Sequence, residues 1–216
     1  MMNLSPLSVS YWRTAAGELR DLRKLTFAAL MIALCIVLGT IPSVTIAQGV
    51  RITWGFLARS LCALVCGPVL GVAFGFAEDI LSFFLTGGGG YPFFPGYTLT
   101  TMLGVLIYAL CLYRAEVTVW RIFLAKLLTN IENVTLGALW TAILSGNPNL
   151  GTAYRAAASV SAVKNLLMLP VQTLLLCLLF AALLPLLRRS GLIPPETPPR
   201  LYLWRCKKFD KRRENV

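Results

Sequence analysis

The chain has 216 residues, 57% hydrophobic and 13% charged, with 20 Lys and Arg against 9 Asp and Glu and a net charge of +11. A soluble domain of this length needs far more charge to cover its surface, so the composition points to an integral membrane protein. The absence of His removes imidazole acid–base chemistry and the usual catalytic triads.

Six apolar runs near the roughly 20 residues needed to cross a bilayer predict an all-α bundle of six transmembrane helices, at about 24–42, 53–66, 67–85, 97–114, 119–145 and 157–187. Residues 1–23 form an N-terminal segment, residues 24–188 the membrane domain, and residues 189–216 a basic tail. The run from Leu25 to Ile41 reads as a retained helix, because it is longer than a signal-peptide core and follows a long basic lead. The second run is short, and Gly67-Pro68 separates it from the third.

Short cytoplasmic segments hold an excess of Lys and Arg. Arg13, Arg20, Arg23 and Lys24 precede the first run, and nine Lys and Arg from Arg188 to Arg213 follow the last. Both termini are therefore predicted in the cytoplasm, which requires an even number of crossings. The basic residues flank spans and are not interleaved with stacking aromatics on a soluble face, so nucleic acid is excluded as a partner and the bilayer is the expected one. Five of the six Cys lie in apolar segments, where Cys acts as a small hydrophobe. With no His beside them they predict no metal site and no cofactor.

The third run carries adjacent acids, Glu78 and Asp79, about 100° apart on a helix. An acid at membrane depth marks a functional site unless a structural partner, here Lys164 or Arg59, absorbs it. Placed by depth, Arg51, Trp54 and Phe56 at the start of the second run share one outer level with Asp79, with Phe94 and Tyr97 at the start of the fourth, and with Lys164 and Asn165 in the sixth. This convergence predicts an outward-facing pocket with aromatic walls and both signs of charge. An interfacial aromatic belt accounts equally well for any single ring. Gly87 to Gly90 can serve as a lid or as a plain connector. Lys126, Glu132 and Asn133 mark either a buried network or a release path. In the first run, Ala28, Ala29 and Ala33 give a small-xxx-small spacing that permits close approach of another helix, within the bundle or from outside.

Lys24-Leu25-Thr26-Phe27-Ala28-Ala29-Leu30-Met31-Ile32-Ala33, Val50-Arg51-Ile52-Thr53-Trp54-Gly55-Phe56-Leu57, Phe93-Phe94-Pro95-Gly96-Tyr97-Thr98-Leu99-Thr100 and Val163-Lys164-Asn165-Leu166-Leu167-Met168-Leu169-Pro170 resemble the substrate-binding S components of energy-coupling factor (ECF) vitamin transporters, and among them the folate-specific members. The resemblance covers residues 22–189. It implies a non-enzymatic, multi-pass subunit of a bacterial plasma membrane that binds a folate-like molecule outside. It also implies docking through Ala29 and Ala33 on a transmembrane coupling subunit driven by two cytoplasmic ATPases. Asp79 then suits the pterin edge, and Arg51 and Lys164 the glutamate tail. One departure is the run Ser159-Val160-Ser161-Ala162-Val163, where folate-type relatives are expected to carry an Arg one turn before the Lys-Asn pair. Another vitamin, or a small membrane scaffold without cargo, remains an alternative.

Overall fold

A glycine followed by proline is a poor continuation of any helix, and the bundle is organised around that break. The computed structural model describes residues 8–40, 44–47, 50–52, 54–86, 93–146, 148–194 and 201–202. Their elements are α1 (Val9–Gly17), a 3-10 turn (Glu18–Arg20), α2 (Leu22–Thr40), the antiparallel strands β1 (Val44–Ala47) and β2 (Val50–Ile52), α3 (Gly55–Thr86), α4 (Pro95–Leu112), α5 (Val119–Leu144) and α6 (Leu150–Arg189). Five of these, α2 to α6, are long and apolar enough to cross a membrane.

The element α3 is two helices. Gly67 holds φ 74° and ψ −173°, a left-handed conformation costly for any residue with a Cβ. Pro68 follows as the first residue of the next helix, where its missing N–H costs nothing. Arg59 and Glu78 lie 19 residues apart in sequence, about 28 Å along a continuous helix, yet their side chains meet at 3.0 Å. The limbs 55–66 and 68–86 are therefore antiparallel, and the chain crosses the membrane six times, as the sequence predicts.

The first limb is only about 18 Å long at 1.5 Å per residue, against a hydrocarbon core of about 30 Å. Helix α2 runs antiparallel beside it, with Cys66 Sγ 3.7 Å from the Lys24 carbonyl and Cys35 Sγ 3.8 Å from the Gly55 carbonyl. Gly55 and Phe56 therefore begin inside the bundle, level with Cys35 and about five residues short of the outer end of α2, and leave space above them.

Apolar side chains fill the opposite, cytoplasmic half. Val65, Leu112, Ile122, Leu176, Phe180 and Leu184 are all essentially inaccessible and belong to one core cluster contributed by α3, α4, α5 and α6. The outer part of α6, before Pro170, buries only Asn165 and Leu169.

The segment before α2 is more ordered than a plain flanking sequence. Ser8 caps α1 by accepting the Tyr11 N–H, and Tyr11 packs edge-on against Tyr113, the residue that ends α4. Burial pushes the Tyr11 phenol up from 10.0 to about 12, with Cys111 adding to the effect. The buried Glu18 pairs with Lys24, accepts the Tyr113 hydroxyl at 2.7 Å, and receives Arg114 Nη2 at 3.3 Å. These bonds hold the α4–α5 turn, in which Arg114 adopts φ 51°. On the other side of that turn, Val119 N–H donates to the Tyr202 carbonyl at 2.9 Å, so segments from both ends of the chain clamp the same turn.

Candidate functional site

Above the short limb lies a cavity of about 300 Å³, near the lower end of the range for small-molecule sites. Its lining comes from four elements: Phe56 and Arg59 from α3, Thr100, Thr101, Gly104 and Tyr108 from α4, Lys126, Thr129, Asn130, Glu132 and Asn133 from α5, and Lys164, Asn165 and Gln172 from α6. The shortness of the first limb creates the space, and one polar side after another on the facing helices fills its wall.

The cavity holds charge of both signs at membrane depth. Arg59 is held from behind by Glu78 through a bidentate pair, Nε to Oε2 and Nη2 to Oε1, each at 3.0 Å. Two parallel N–H···O bonds fix the guanidinium plane, which a single bond does not. Glu78 itself is 3% exposed, so the pair is a structural ion pair whose cationic end reaches the cavity. Lys126, also buried, sits 4.7 Å from the centre of the Phe56 ring, a cation–π contact that steadies an ammonium inside the bundle. Tyr108 receives the Thr129 hydroxyl at 3.4 Å, while Asn130 Nδ2 donates to the Asn165 carbonyl at 3.3 Å and Asn165 Nδ2 to the Ser161 carbonyl at 2.9 Å.

Of the residues expected from sequence, Phe56, Lys164 and Asn165 line this cavity. Asp79 stands one step behind it. Its two oxygens accept the hydroxyls of Thr98 at 2.7 Å and Thr101 at 3.2 Å, and Thr101 is the residue that faces the cavity. Arg59 therefore pairs with Glu78 and not with Asp79, and each of the two adjacent acids has its own partner, as their 100° separation requires.

Phe94 and Tyr97 form an aromatic group on the outer side. Phe94 lies 5.5 Å from Trp140 and 6.0 Å from Tyr97 between ring centres. Trp140 Nε1 donates to Thr100 Oγ1 at 3.0 Å, which joins this group to the cavity wall. Gly96 is needed for the packing, since a Cβ there would come within 2.7 Å of the Trp140 ring. Trp54 is half-buried just before α3. Arg51 falls on β2 and its side chain lies outside the described residues, as do Gly87 to Gly90 and hence the proposed lid.

Sequence reasoning passed over Trp140, Tyr108, Thr129 and Gln172. Their signal is weak, because a single polar or aromatic residue in an apolar run is ordinary, and only the fold reveals that they share a wall. Lys126, Glu132 and Asn133 stand out in the sequence as intramembrane polar residues, and the structure brings all three to the cavity.

On the free side of α2, Ala29 and Ala33 are exposed while Ala28 is buried. The same sector carries Leu30 at 62% and Val37 at 57% exposure. The small-residue face is thus turned away from the bundle.

Comparison with known proteins agrees with this architecture. Residues 23–180 match the family model "ECF transporter, substrate-specific component". Over 159 residues the chain is 28% identical to the folate transporter FolT of Clostridium novyi, covering 73% of this chain and 88% of that protein. It is also 28% identical over 155 residues to the folate transporter FolT of Leuconostoc mesenteroides, covering 70% and 81% respectively. The crystal structure of FolT bound with folic acid superposes with a TM-score of 0.63 at 25% identity, over 72% of this chain and 91% of that one. With the family match spanning most of its length and its six crossings in place, the chain belongs to the substrate-specific components of ECF transporters, multi-pass proteins of the bacterial plasma membrane.

Proposed function

We propose that this chain captures folate, or a closely related pterin, from the outer side of the membrane and presents it to an ECF coupling subunit for import. The observation that carries the reading is the cavity itself: a mixed-charge space beneath an aromatic group, in a fold shared with a FolT that holds folic acid. Folate joins a flat, hydrogen-bonding ring to a dianionic tail. The ring suits a site with Phe56 and Tyr108 in its wall, and the tail suits Lys126, Lys164 and the guanidinium of Arg59. Asn165 supplies polar contacts in the same wall, Phe94 and Tyr97 cover the outer side, and Arg51 and Trp54 sit where the outer loop enters.

Asp79 acts here by holding Thr98 and Thr101. Its hydroxyl partners leave it poorly placed to read a ligand directly. Docking falls to Ala29 and Ala33, whose exposure on an edge helix leaves room for a partner helix at short range. The chain itself performs no chemistry in this scheme, and ATP hydrolysis belongs to the partner subunits.

The test is equilibrium binding of folate, 5-formyltetrahydrofolate, riboflavin and thiamin to the detergent-purified chain, read by Trp fluorescence. Saturable binding of the folates alone is expected. Saturable binding of riboflavin or thiamin instead reassigns the cargo, and no binding by folded protein overturns the reading.

A further inference from the structure

Glu132 lines the cavity from α5, and its Oε1 is buried with no hydrogen-bond partner. No ion pair is formed by Glu132 among the described residues, although Lys126 lies six residues away on the same helix and lines the same space. Gln172 Oε1, on α6, is likewise buried and unpartnered. An orphan acceptor at this depth is expensive, and two of them from different helices in one wall indicate donors supplied by something else. An amide can present either end. An ionised carboxylate cannot donate, so Glu132 sets the sign of the missing group: it must be a hydrogen-bond donor, a role that the N–H edge of a ring can fill.

The shape beside Glu132 is equally specific. A Cβ at Gly104 would lie 3.7 Å from Glu132 Oε2, so the carboxyl is turned across the cavity toward α4 at the one cavity-lining position of that helix without a side chain. Thr100 and Thr101 stand a turn outward of Gly104, and Tyr108 stands a turn inward. Gly104 thus lets the Glu132 carboxyl lie close against α4, an acceptor held between the side chains outward and inward of it. The neighbouring carboxyl, Asp79, has both oxygens engaged by Thr98 and Thr101.

We propose that Glu132 is the specificity-determining group of the site, accepting the paired N–H donors at the amino-pyrimidinone edge of the cargo's ring. This assignment rests on the reading of the cargo as a folate or pterin. It places the ring beside α4 and α5, with the cationic residues left for the anionic tail.

The test compares folate with 2-desaminofolate, which lacks the exocyclic amino group, on the purified wild type and on Glu132→Gln and Glu132→Ala. Monodispersity in gel filtration selects folded variants, and the isosteric Gln variant serves if the Ala variant does not fold. Wild type is expected to bind folate about 10- to 100-fold more tightly than the analogue, the range for a hydrogen bond to a charged group. The variants should lose that preference, binding the two ligands within about 3-fold, because the discriminating acceptor is gone or weakened. A preference that persists in the variants overturns the proposal, and so does a wild type that binds both ligands equally. A wild type that binds neither overturns the folate reading instead, which keeps the two failures apart.

Discussion

Arg59 and Glu78 illustrate how single residues trade stability against access to the cavity. Replacing Glu78 by Leu strands a guanidinium among apolar helices and is expected to destabilise the protein by about 3 to 5 kcal/mol. Replacing both, Arg59→Met with Glu78→Leu, removes the stranded charge, so the double variant should melt above the single one in detergent thermal unfolding. A double variant that melts below the Glu78→Leu single would show that Arg59 is not stranded without its partner, and would remove the desolvation argument. At this scale the sequence is legible in kind and not in pairing. The rarity of charge in apolar runs singles out Glu78, Asp79, Lys126, Glu132 and Lys164 as important. Which acid meets Arg59 depends on the chain reversing at Gly67, and nothing local to Glu78 or Asp79 encodes it. Gln172 leaves no trace in a run of Leu and Val, because one neutral amide barely changes local hydropathy.

Helix boundaries were the most legible feature at the element scale. The predicted division between spans at 66 and 67 coincides with the reversal at Gly67, since a positive φ and a following Pro both act locally on the backbone. Gly67→Ala combines a strained backbone with a Cβ 2.8 Å from the Tyr113 ring. A loss of about 2 to 5 kcal/mol is expected from strain and overpacking together, and it should appear as a lowered melting temperature with the helical circular dichroism signal kept at low temperature. The helix α1 was not legible. It is short, and its order comes from long-range partners, Tyr113 and Val69, Leu110 around it. The outer end of α6 also begins earlier than the apolar run, at Leu150 and not near 157, because Ala-rich turns extend a helix beyond its hydrophobic stretch.

For the whole molecule, binding and coupling occupy different faces. The cavity is built from α3 to α6, whereas Ala29 and Ala33 lie on α2, which packs chiefly on α3 and leaves its other side free. Ala29→Leu with Ala33→Leu is therefore expected to leave folate affinity within about 2-fold of wild type while abolishing uptake by the assembled transporter, since added bulk blocks close helix approach. Normal uptake by this variant would remove these alanines from the docking face.

The apolar plug below the cavity has an electrical consequence. One turn inward of Tyr108 stands Leu112, inward of Lys126 stands Ile122, and inward of Gln172 stand Leu176 and Phe180, all of them inaccessible. Water that enters from outside reaches a dead end before the clamped cytoplasmic turn, so among the described residues no file of polar groups connects the two aqueous compartments. The subunit alone should behave as an insulator, and vesicles reconstituted with it should hold an imposed proton gradient as long as empty vesicles do. A bacterium can then keep many copies of such a receptor in its plasma membrane without draining the gradient that energises the rest of the cell.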